Sequence, residues 1–125
     1  MDTFTRLERL EAESKEIGFY WPDHYGALKQ IIEEIAEIKE ALEKANVDQA
    51  HLQEELGDLL HAVCSLIFFC KFGVQNTLDK ALDKYEHRFY SMIDVANKQG
   101  VEDFGSLTLD QMMNYWKIAK SIDKK

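Results

Sequence analysis

The sequence predicts an all-α protein, an antiparallel helical bundle of about five helices. Hydrophobic residues recur with the period of an α-helix, and no stretch alternates polar and apolar residues as a half-buried strand does. Residues that break helices are few, since one Pro and six Gly occur among 125 residues. This length suits one core, so we expect a single domain over residues 1–125, with residues 1–18 as an additional N-terminal helix.

The first two helices are predicted on either side of an aromatic loop. Helix one runs from Thr5 to Ile17, and Gly18 ends it because glycine readily adopts the left-handed conformation that closes helices. Pro22 suits the first turn of a second helix, which runs to Ala45.

The third helix is predicted from an Asp48 cap to Phe72, with Gly73 as its end. Cys64 and Cys70 both lie in it. Six residues of helical rise separate their Cα atoms by roughly 9 Å, which is beyond the reach of a disulfide. We therefore expect reduced cysteines and a cytoplasmic protein.

The fourth and fifth helices complete the predicted bundle. Asn76 or Thr77 can cap the fourth, which continues to Gly100. The pattern Thr108-Leu-Asp-Gln111 is typical of a capping box and starts a last helix that ends near Ser121.

The charge is acidic overall and unevenly distributed. Fifteen Lys and Arg against 23 Asp and Glu give a net charge of -8, which argues against a nucleic acid polymer or an anionic membrane as partner. The strongest apolar run, Leu59–Cys70, is too short to span a bilayer. Residues 33–58 contain nine acids and two lysines, so nearly all of the excess lies there.

Two pairs of acids in that window share helix faces. Glu34 and Glu37 lie three residues apart on helix two, and Glu55 and Asp58 do so on helix three. On a helical wheel, Glu34 and Glu55 lie roughly 75° and 70° from the centres of the apolar stripes, at the edge of the core. The stripes predicted to face the core are Leu28, Ile31, Ile35, Ile38 and Leu42, and Leu52, Leu56, Leu59, Val63 and Ile67.

The neighbouring acids behave differently on the wheel. Glu33 and Glu54 lie nearly opposite the stripes and are expected to be solvated. Gly57, between the members of the second pair, costs about 1 kcal/mol in a helix interior. We therefore expect a neighbouring helix or a ligand to approach closely at Gly57, the alternative being a helix that simply tolerates one glycine.

Four carboxylates that face one another raise each other's pKa unless a cation neutralises them. Mg²⁺ accepts a few carboxylates while it keeps water and phosphate ligands. The residues alone leave two interpretations open, a divalent metal site or an ordinary solvated helix face.

Four sequence segments resemble one known family. They are Ile32–Ile38 (IEEIAEI), Glu54–Leu60 (EELGDLL), Lys84–Phe89 (KYEHRF) and Trp116–Lys120 (WKIAK). The first three are similar, in this order, to the EExxE, ExxD and KFxxRF segments of the MazG-type nucleoside triphosphate pyrophosphohydrolases, which are all-α enzymes. The fourth continues the similarity into the last helix. The resemblance covers about residues 21–120. It implies a homo-dimer or homo-tetramer.

The resemblance also implies a reaction and a metal site. A nucleoside triphosphate would be hydrolysed between its α and β phosphates to the monophosphate and pyrophosphate, with Mg²⁺, or Mn²⁺ as the alternative ion. The implied metal ligands are Glu34, Glu37, Glu55 and Asp58. Glu37 and Glu55 are the implied catalytic residues, and Glu37 is favoured as general base because it lies farther from the apolar stripe.

The same resemblance implies four substrate-binding residues in the C-terminal half. Lys84 and Arg88 share a helix face and would bind the triphosphate, although an ordinary solvated face has the same pattern. Trp116 and Lys120 have the same spacing on helix five and would offer a ring for the nucleotide and an amine for phosphate. Core packing of Trp116 is the alternative.

Two other functions remain open from the sequence. Asp58-x-x-His61 resembles half of the pairing used by di-iron carboxylate bundles, although a second copy is missing. A non-catalytic helical module that binds a nucleotide or a protein is the second. Base and sugar preference are expected to depend on the loops around Trp21 and Trp116.

Overall fold

The computed structural model describes residues 1–123 as helices joined by short connections. No strand occurs among these residues, so the predicted all-α class is confirmed. The chain forms two compact units, Met1–Thr77 and Leu78–Lys125. The α-helices are α1 (Thr3–Glu16), α2 (His24–Leu42), α3 (Gln49–Phe69), α4 (Val74–Lys98) and α5 (Leu109–Asp123), and a 3-10 helix spans Phe104–Ser106.

Local signals set the end of α1 and the start of α2. Gly18 has a φ of +91° and ends α1, as predicted. The prediction that α2 begins at Pro22 was wrong by two residues. The Asp23 side chain accepts hydrogen bonds from the backbone N–H groups of Tyr25 and Gly26, so it is the N-cap and the helix begins at His24.

Helix α2 ends at Leu42, three residues before the predicted end at Ala45. Asp48 caps α3 as expected, accepting from the backbone N–H groups that follow it. The end of α3 differs from the prediction, because Lys71 rather than Gly73 takes the left-handed conformation, with a φ of 69°. The helix therefore stops at Phe69.

The predicted start of α4 at Asn76 or Thr77 was also wrong. The helix begins at Val74, directly after Gly73. The Thr77 hydroxyl donates to the Gly73 carbonyl at 2.7 Å, so it bonds back one turn instead of capping. Gly100, with a φ of +86°, follows the end of α4.

The capping box of α5 is present. The Thr108 backbone N–H donates to Gln111 Oε1 at 2.8 Å, and the Gln111 N–H donates to Thr108 Oγ1 at 3.2 Å. The helix continues to Asp123, two residues beyond the predicted end at Ser121, because Asp123 forms contacts with α4 that hold the last turn in place.

In the first unit, α2 and α3 form an antiparallel hairpin, and α1 packs on α3. The predicted stripes are only partly buried. Most of the buried side chains are small, and several of the larger stripe residues are exposed. The buried residues of this unit are Ala27, Ile38, Ala41, Ala62, Cys64 and Val74, whereas Leu28, Ile35, Leu42, Leu56 and Val63 are exposed.

The second unit contains buried Ala96 and Ala119. Its aromatic contacts join helices α4 and α5 and the 3-10 helix to α5, with ring centroids 5.6 Å apart for Tyr85–Trp116 and 6.2 Å for Phe104–Tyr115. Both cysteines, which belong to the first unit, are free thiols as expected.

Within residues 1–123, no single helix is long and apolar enough to cross a membrane. Among these residues, α3 and α4 taken together have the length and the apolar composition of a membrane span, but the two helices are bent by 104° at the break between them.

Candidate active site

Three carboxylates meet where α2 and α3 run side by side. Glu34 and Glu37 of α2 and Glu55 of α3 each offer one oxygen, and these oxygens all lie within 4.8 Å of one another. Glu34 and Glu55 are half-buried and Glu37 is exposed. The adjacent Glu33 and Glu54 are exposed, as the helical wheel predicts. We call Glu34, Glu37 and Glu55 the carboxylate cluster.

Two oxygens of the carboxylate cluster are buried without a hydrogen-bond partner, Glu34 Oε2 and Glu55 Oε2. A buried polar atom that lacks a partner costs free energy, and buried carboxylates normally pair with a cation or a donor. Oxygen donors in this number suit a hard divalent ion. The residues present therefore fit a metal that bridges the two helices.

Burial and mutual repulsion raise the pKa of two cluster members. Desolvation raises the pKa of Glu34, and the charges of Glu37 and Asp58 add to the effect. A hydrogen bond with Glu37 is the largest cause that raises the pKa of Glu55, followed by desolvation and the Glu37 charge. His51, 3.5 Å from Glu55, lowers that pKa in part. Each cause is one that a bound cation would offset.

Asp58, the fourth predicted metal ligand, lies next to the carboxylate cluster but outside its group of converging oxygens. Its charge is close enough to raise the pKa of Glu34. The expectation that a neighbouring helix approaches Gly57 was wrong, because among residues 1–123 no atom beyond the local α3 backbone lies within 4 Å of the position of a Cβ there. The approach of a ligand at Gly57 stays a prediction.

Arg88, predicted to bind the triphosphate, is held by a carboxylate in the second unit. Its Nε donates to Asp123 Oδ2 at 2.8 Å, and the other oxygen of Asp123 lies 2.9 Å from His87 Nε2. The Arg88 and Asp123 side chains are only 17% and 12% exposed. One edge of the guanidinium is therefore committed to joining α4 and α5.

The other three predicted substrate-binding residues also lie in the second unit. Lys84 and Lys120 are exposed on α4 and α5. Trp116 is half-buried, and its ring centroid lies 5.6 Å from that of Tyr85. The packing alternative for Trp116 thus has a structural basis, while part of the ring stays accessible.

His61 does not join the carboxylate cluster. Its Nε2 lies 2.9 Å from Glu11 Oε1, so it links α3 to α1. Among the described residues, the converging group contains three glutamates and no histidine. This composition does not match the carboxylate-x-x-His pairs of di-iron bundles.

Sequence reasoning missed a cleft of about 650 Å³ between α1, the loop that follows it, α2 and α3. We call it the α1 cleft. Glu11 and His61 both line it and lie 2.9 Å apart, although they are 50 positions apart along the chain and no spacing rule connects them. The loop Phe19-Tyr20-Trp21-Pro22 was the signal in the sequence that could have indicated this cleft. Its three aromatic side chains and its proline all line the cleft.

A helical hairpin that gathers glutamates from both helices defines the class of all-α proteins with a carboxylate cluster between two helices. Within that class, the chain belongs to the MazG nucleotide pyrophosphohydrolase domain family, whose sequence model matches residues 23–92. The matched range contains the whole carboxylate cluster, Asp58, Lys84 and Arg88.

Three curated proteins are similar to this chain, and two of them are named nucleoside triphosphate pyrophosphohydrolases. The nucleoside triphosphate pyrophosphohydrolase/pyrophosphatase MazG of Thermotoga maritima is 33% identical over 116 residues, 93% of this chain and 43% of the relative. The nucleoside triphosphate pyrophosphohydrolase of Escherichia coli K12 is 31% identical over 115 residues, 92% and 43%. The uncharacterized protein YabN of Bacillus subtilis is 29% identical over 75 residues, 60% and 15%. The chain spans less than half the length of these relatives.

Proposed function

We propose that the protein hydrolyses a nucleoside triphosphate between the α and β phosphates and depends on a divalent metal ion to do so. The observation that carries the proposal is the carboxylate cluster, where one oxygen of each of three glutamates converges within 4.8 Å and the Oε2 atoms of Glu34 and Glu55 are buried without partners. Membership in the nucleotide pyrophosphohydrolase domain family supports the same reaction, as do two relatives named nucleoside triphosphate pyrophosphohydrolases.

Glu34, Glu37 and Glu55 would hold the metal, and Asp58 stands beside them as the fourth ligand of the proposed set. Mg²⁺ is the proposed ion, with Mn²⁺ as the alternative that accepts the same oxygen donors. Bound there, the ion would offset phosphate charge and lower the pKa of a water molecule that it holds.

Glu37 is the proposed general base, because it is the exposed member of the carboxylate cluster and its carboxylate is open to water. A water oxygen forms the new bond to phosphorus, and its proton passes to Glu37. The bond between phosphorus and the bridging oxygen breaks, and that oxygen leaves with the electron pair. Glu55 contributes as a catalytic residue by holding its carboxylate beside Glu37, with one oxygen of each within 4.8 Å of the other.

Four residues of the second unit are proposed to bind the nucleoside triphosphate: Lys84, Arg88, Trp116 and Lys120. Lys84 and Lys120 are exposed amines that can bind phosphate oxygens. Arg88 keeps its outer guanidinium nitrogens for phosphate while Nε donates to Asp123. Trp116 offers the accessible part of its ring to the nucleotide.

A pyrophosphate-release assay over standard and modified nucleoside triphosphates, with and without Mg²⁺, tests the proposal. The wild type should release pyrophosphate only with the metal, and Glu55→Gln should lose more than about 100-fold of the activity. Glu54→Gln is the matched control, because it makes the same change one position away on the solvated face. Equal turnover by Glu55→Gln, or no release from any triphosphate, would refute the proposed function.

The same assay distinguishes the remaining alternative, a module that binds nucleotides without turnover. Such a module would bind a triphosphate, by calorimetry, yet release no pyrophosphate with either Mg²⁺ or Mn²⁺. The absence of pyrophosphate with retained binding would favour the module and reject the enzyme.

We further propose that the protein is a homo-oligomer, a dimer or a tetramer. The exposed apolar side chains on α2 and α3 support this, because apolar surface of this kind in one region marks interaction sites. They are Ile32, Ile35, Leu42, Leu56 and Leu60, which are 66%, 51%, 55%, 48% and 68% exposed.

Sedimentation at micromolar concentration tests the oligomer. The wild type should sediment as a dimer or larger, and Leu60→Glu should shift it to monomer. Gln53→Glu adds the same charge to an exposed position of α3 and should leave the mass unchanged. A monomeric wild type would refute this proposal.

A further inference from the structure

Arg88 is bound to a carboxylate that lies outside the sequence segments that predict a function. Asp123 ends α5, beyond residues 23–92 of the family model and beyond residues 21–120 of the sequence resemblance. The Arg88 Nε donates to Asp123 Oδ2 at 2.8 Å, and both side chains are largely shielded from water. The contact is therefore stronger than an ion pair on an exposed surface.

Asp123 contacts α4 through both of its carboxylate oxygens. Oδ2 accepts from Arg88, and Oδ1, which is buried, lies 2.9 Å from His87 Nε2. His87 and Arg88 are consecutive residues of α4, so the carboxylate lies against both of them. These two contacts restrict how the carboxylate can rotate.

The contact with Asp123 leaves most of the donors of Arg88 for another partner. A guanidinium has five N–H donors in one plane, one on Nε and four on the two Nη atoms. The bond to Asp123 uses Nε. The edge formed by the two Nη atoms can bind two oxygens of a phosphate side by side. Because the group is planar, fixing Nε also restricts the directions in which the Nη donors point.

Asp123 lies on the same side of α5 as the two residues of that helix that are proposed to bind substrate. Positions 116, 120 and 123 fall within about 60° of one another on a helical wheel. Trp116 contacts Tyr85 of α4, with ring centroids 5.6 Å apart, so this side of α5 faces α4. The bond to Asp123 thus brings the Arg88 guanidinium to the side of α5 on which Trp116 and Lys120 lie.

We infer that Asp123 is a positioning residue, which holds the Arg88 guanidinium in the orientation that binds the triphosphate and does not itself contact the substrate. The inference rests on the proposed function for the role of Arg88. It adds the last turn of α5 to the parts of the chain on which triphosphate binding depends. Ordering a long side chain during binding weakens affinity by about 2- to 10-fold, and the bond to Asp123 removes this loss beforehand.

The charge of Asp123 has a second effect, of opposite sign. A carboxylate beside Arg88 offsets part of the positive charge that attracts phosphate. Its removal would strengthen the attraction of phosphate to any cation at position 88, whether arginine or lysine. A change of affinity in an Asp123 variant alone therefore does not separate orientation from charge. Their separation requires a comparison in which the charge at position 88 stays constant.

A double-mutant cycle with Arg88→Lys makes this comparison. Lysine keeps the charge but lacks the planar set of donors, so the loss of affinity in Arg88→Lys measures what the oriented guanidinium contributes. The ligand is inorganic tripolyphosphate with Mg²⁺, and calorimetry measures its affinity for the full chain. When Asp123 is present, Arg88→Lys should weaken binding about tenfold or more. In the Asp123→Ala background, where the guanidinium is no longer held, it should weaken binding by less than about threefold.

Two further variants serve as a control and as a replacement. Asp94→Ala removes an exposed carboxylate of α4 that pairs with Lys98, and in that background Arg88→Lys should cause the same loss as in the wild type. If Asp123→Ala does not fold by circular dichroism, Asp123→Glu replaces it. Glutamate keeps the charge but displaces the acceptor oxygens by one methylene group, so the loss caused by Arg88→Lys should still fall below the wild-type value.

Two results would overturn the inference. The first is an equal loss from Arg88→Lys with and without Asp123, which would mean that Asp123 acts through its charge or through the fold alone. The second is a wild type that does not bind tripolyphosphate.

The outcome is separable from that of the proposed function, because binding of tripolyphosphate needs no turnover. A loss that depends on Asp123, in a protein that releases no pyrophosphate from any nucleotide, would support the inference while it rejects the enzyme. Pyrophosphate release together with a loss that is independent of Asp123 would leave the enzyme standing and refute the positioning role.

Discussion

The indole of Trp21 lies directly over Gly26, so that a Cβ at Gly26 would stand 2.5 Å from the Trp21 Cε3 atom. Real Cβ atoms do not approach a ring that closely, so this contact exists only because residue 26 lacks a side chain. The contact fixes one wall of the α1 cleft against the first turn of α2.

Gly26→Ala should therefore fail to give the usual gain of an alanine in a helix. A Gly to Ala change in a helix typically stabilises by about 1 kcal/mol, but here the methyl group must displace the Trp21 ring. We expect no net gain in chemical denaturation and a shifted tryptophan emission spectrum.

Gly57→Ala is the matched control for that change. It is also helical, and nothing lies within 4 Å of its Cβ position. It should raise the unfolding free energy by about 0.5–1 kcal/mol and leave the emission spectrum unchanged. Equal gains for both variants would show that Trp21 does not rest on Gly26 in solution.

The carboxylate cluster should make the metal-free protein less stable as the pH rises. The folded-state pKa values of Glu34 and Glu55 are raised above the ordinary 4.5. The folded state then binds more protons than the unfolded state, so this contribution is fully present below pH 4.5 and is lost as the pH passes through the raised values. Denaturation with a chelator at several pH values measures it.

The Glu55→Gln variant isolates this effect from other titrating groups. The difference in stability between wild type and variant should grow in favour of the variant as the pH rises above 4.5. Added Mg²⁺ should reverse the order, because only the wild type keeps the full ligand set. A difference that is independent of pH would contradict the raised pKa values.

The parts of the site that the sequence could predict are those set by local geometry. Helical periodicity places Glu34 with Glu37 and separates them from Glu33, and Asp48 and Gly18 mark helix ends through their own side-chain chemistry or backbone freedom. These features depend on neighbours within one turn. The structure confirms each of them.

The parts that escaped prediction depend on pairs distant in the chain. Arg88 and Asp123 are 35 positions apart, and Glu11 and Ser65 are 54 apart. No periodicity connects such positions, because their contact follows from how whole helices pack. The buried side chains also escaped prediction, since the alanines at 27, 41 and 62 are buried whereas larger stripe residues such as Leu28 and Leu56 are exposed.

Asp123→Asn should destabilise the second unit. The Asp123 carboxylate accepts from Arg88 Nε and lies 2.9 Å from His87 Nε2, and removing its charge leaves a 17% exposed guanidinium without its anionic partner. We expect a loss of about 1–3 kcal/mol in the unfolding free energy. Asp94→Asn, which breaks an exposed pair with Lys98, should change it by less than about 0.5 kcal/mol. Equal effects of the two variants would mean that Arg88 does not depend on Asp123.

Lys71→Gly should stabilise the end of α3. Lys71 has a φ of 69°, a left-handed conformation that is unfavourable for a residue with a Cβ and natural for glycine after a helix. Relief of that strain should raise the unfolding free energy by about 0.5–1 kcal/mol in chemical denaturation. Lys71→Asn, which tolerates the same conformation better than lysine does, should give a smaller gain in the same direction. A loss of stability in both variants would contradict strain at Lys71.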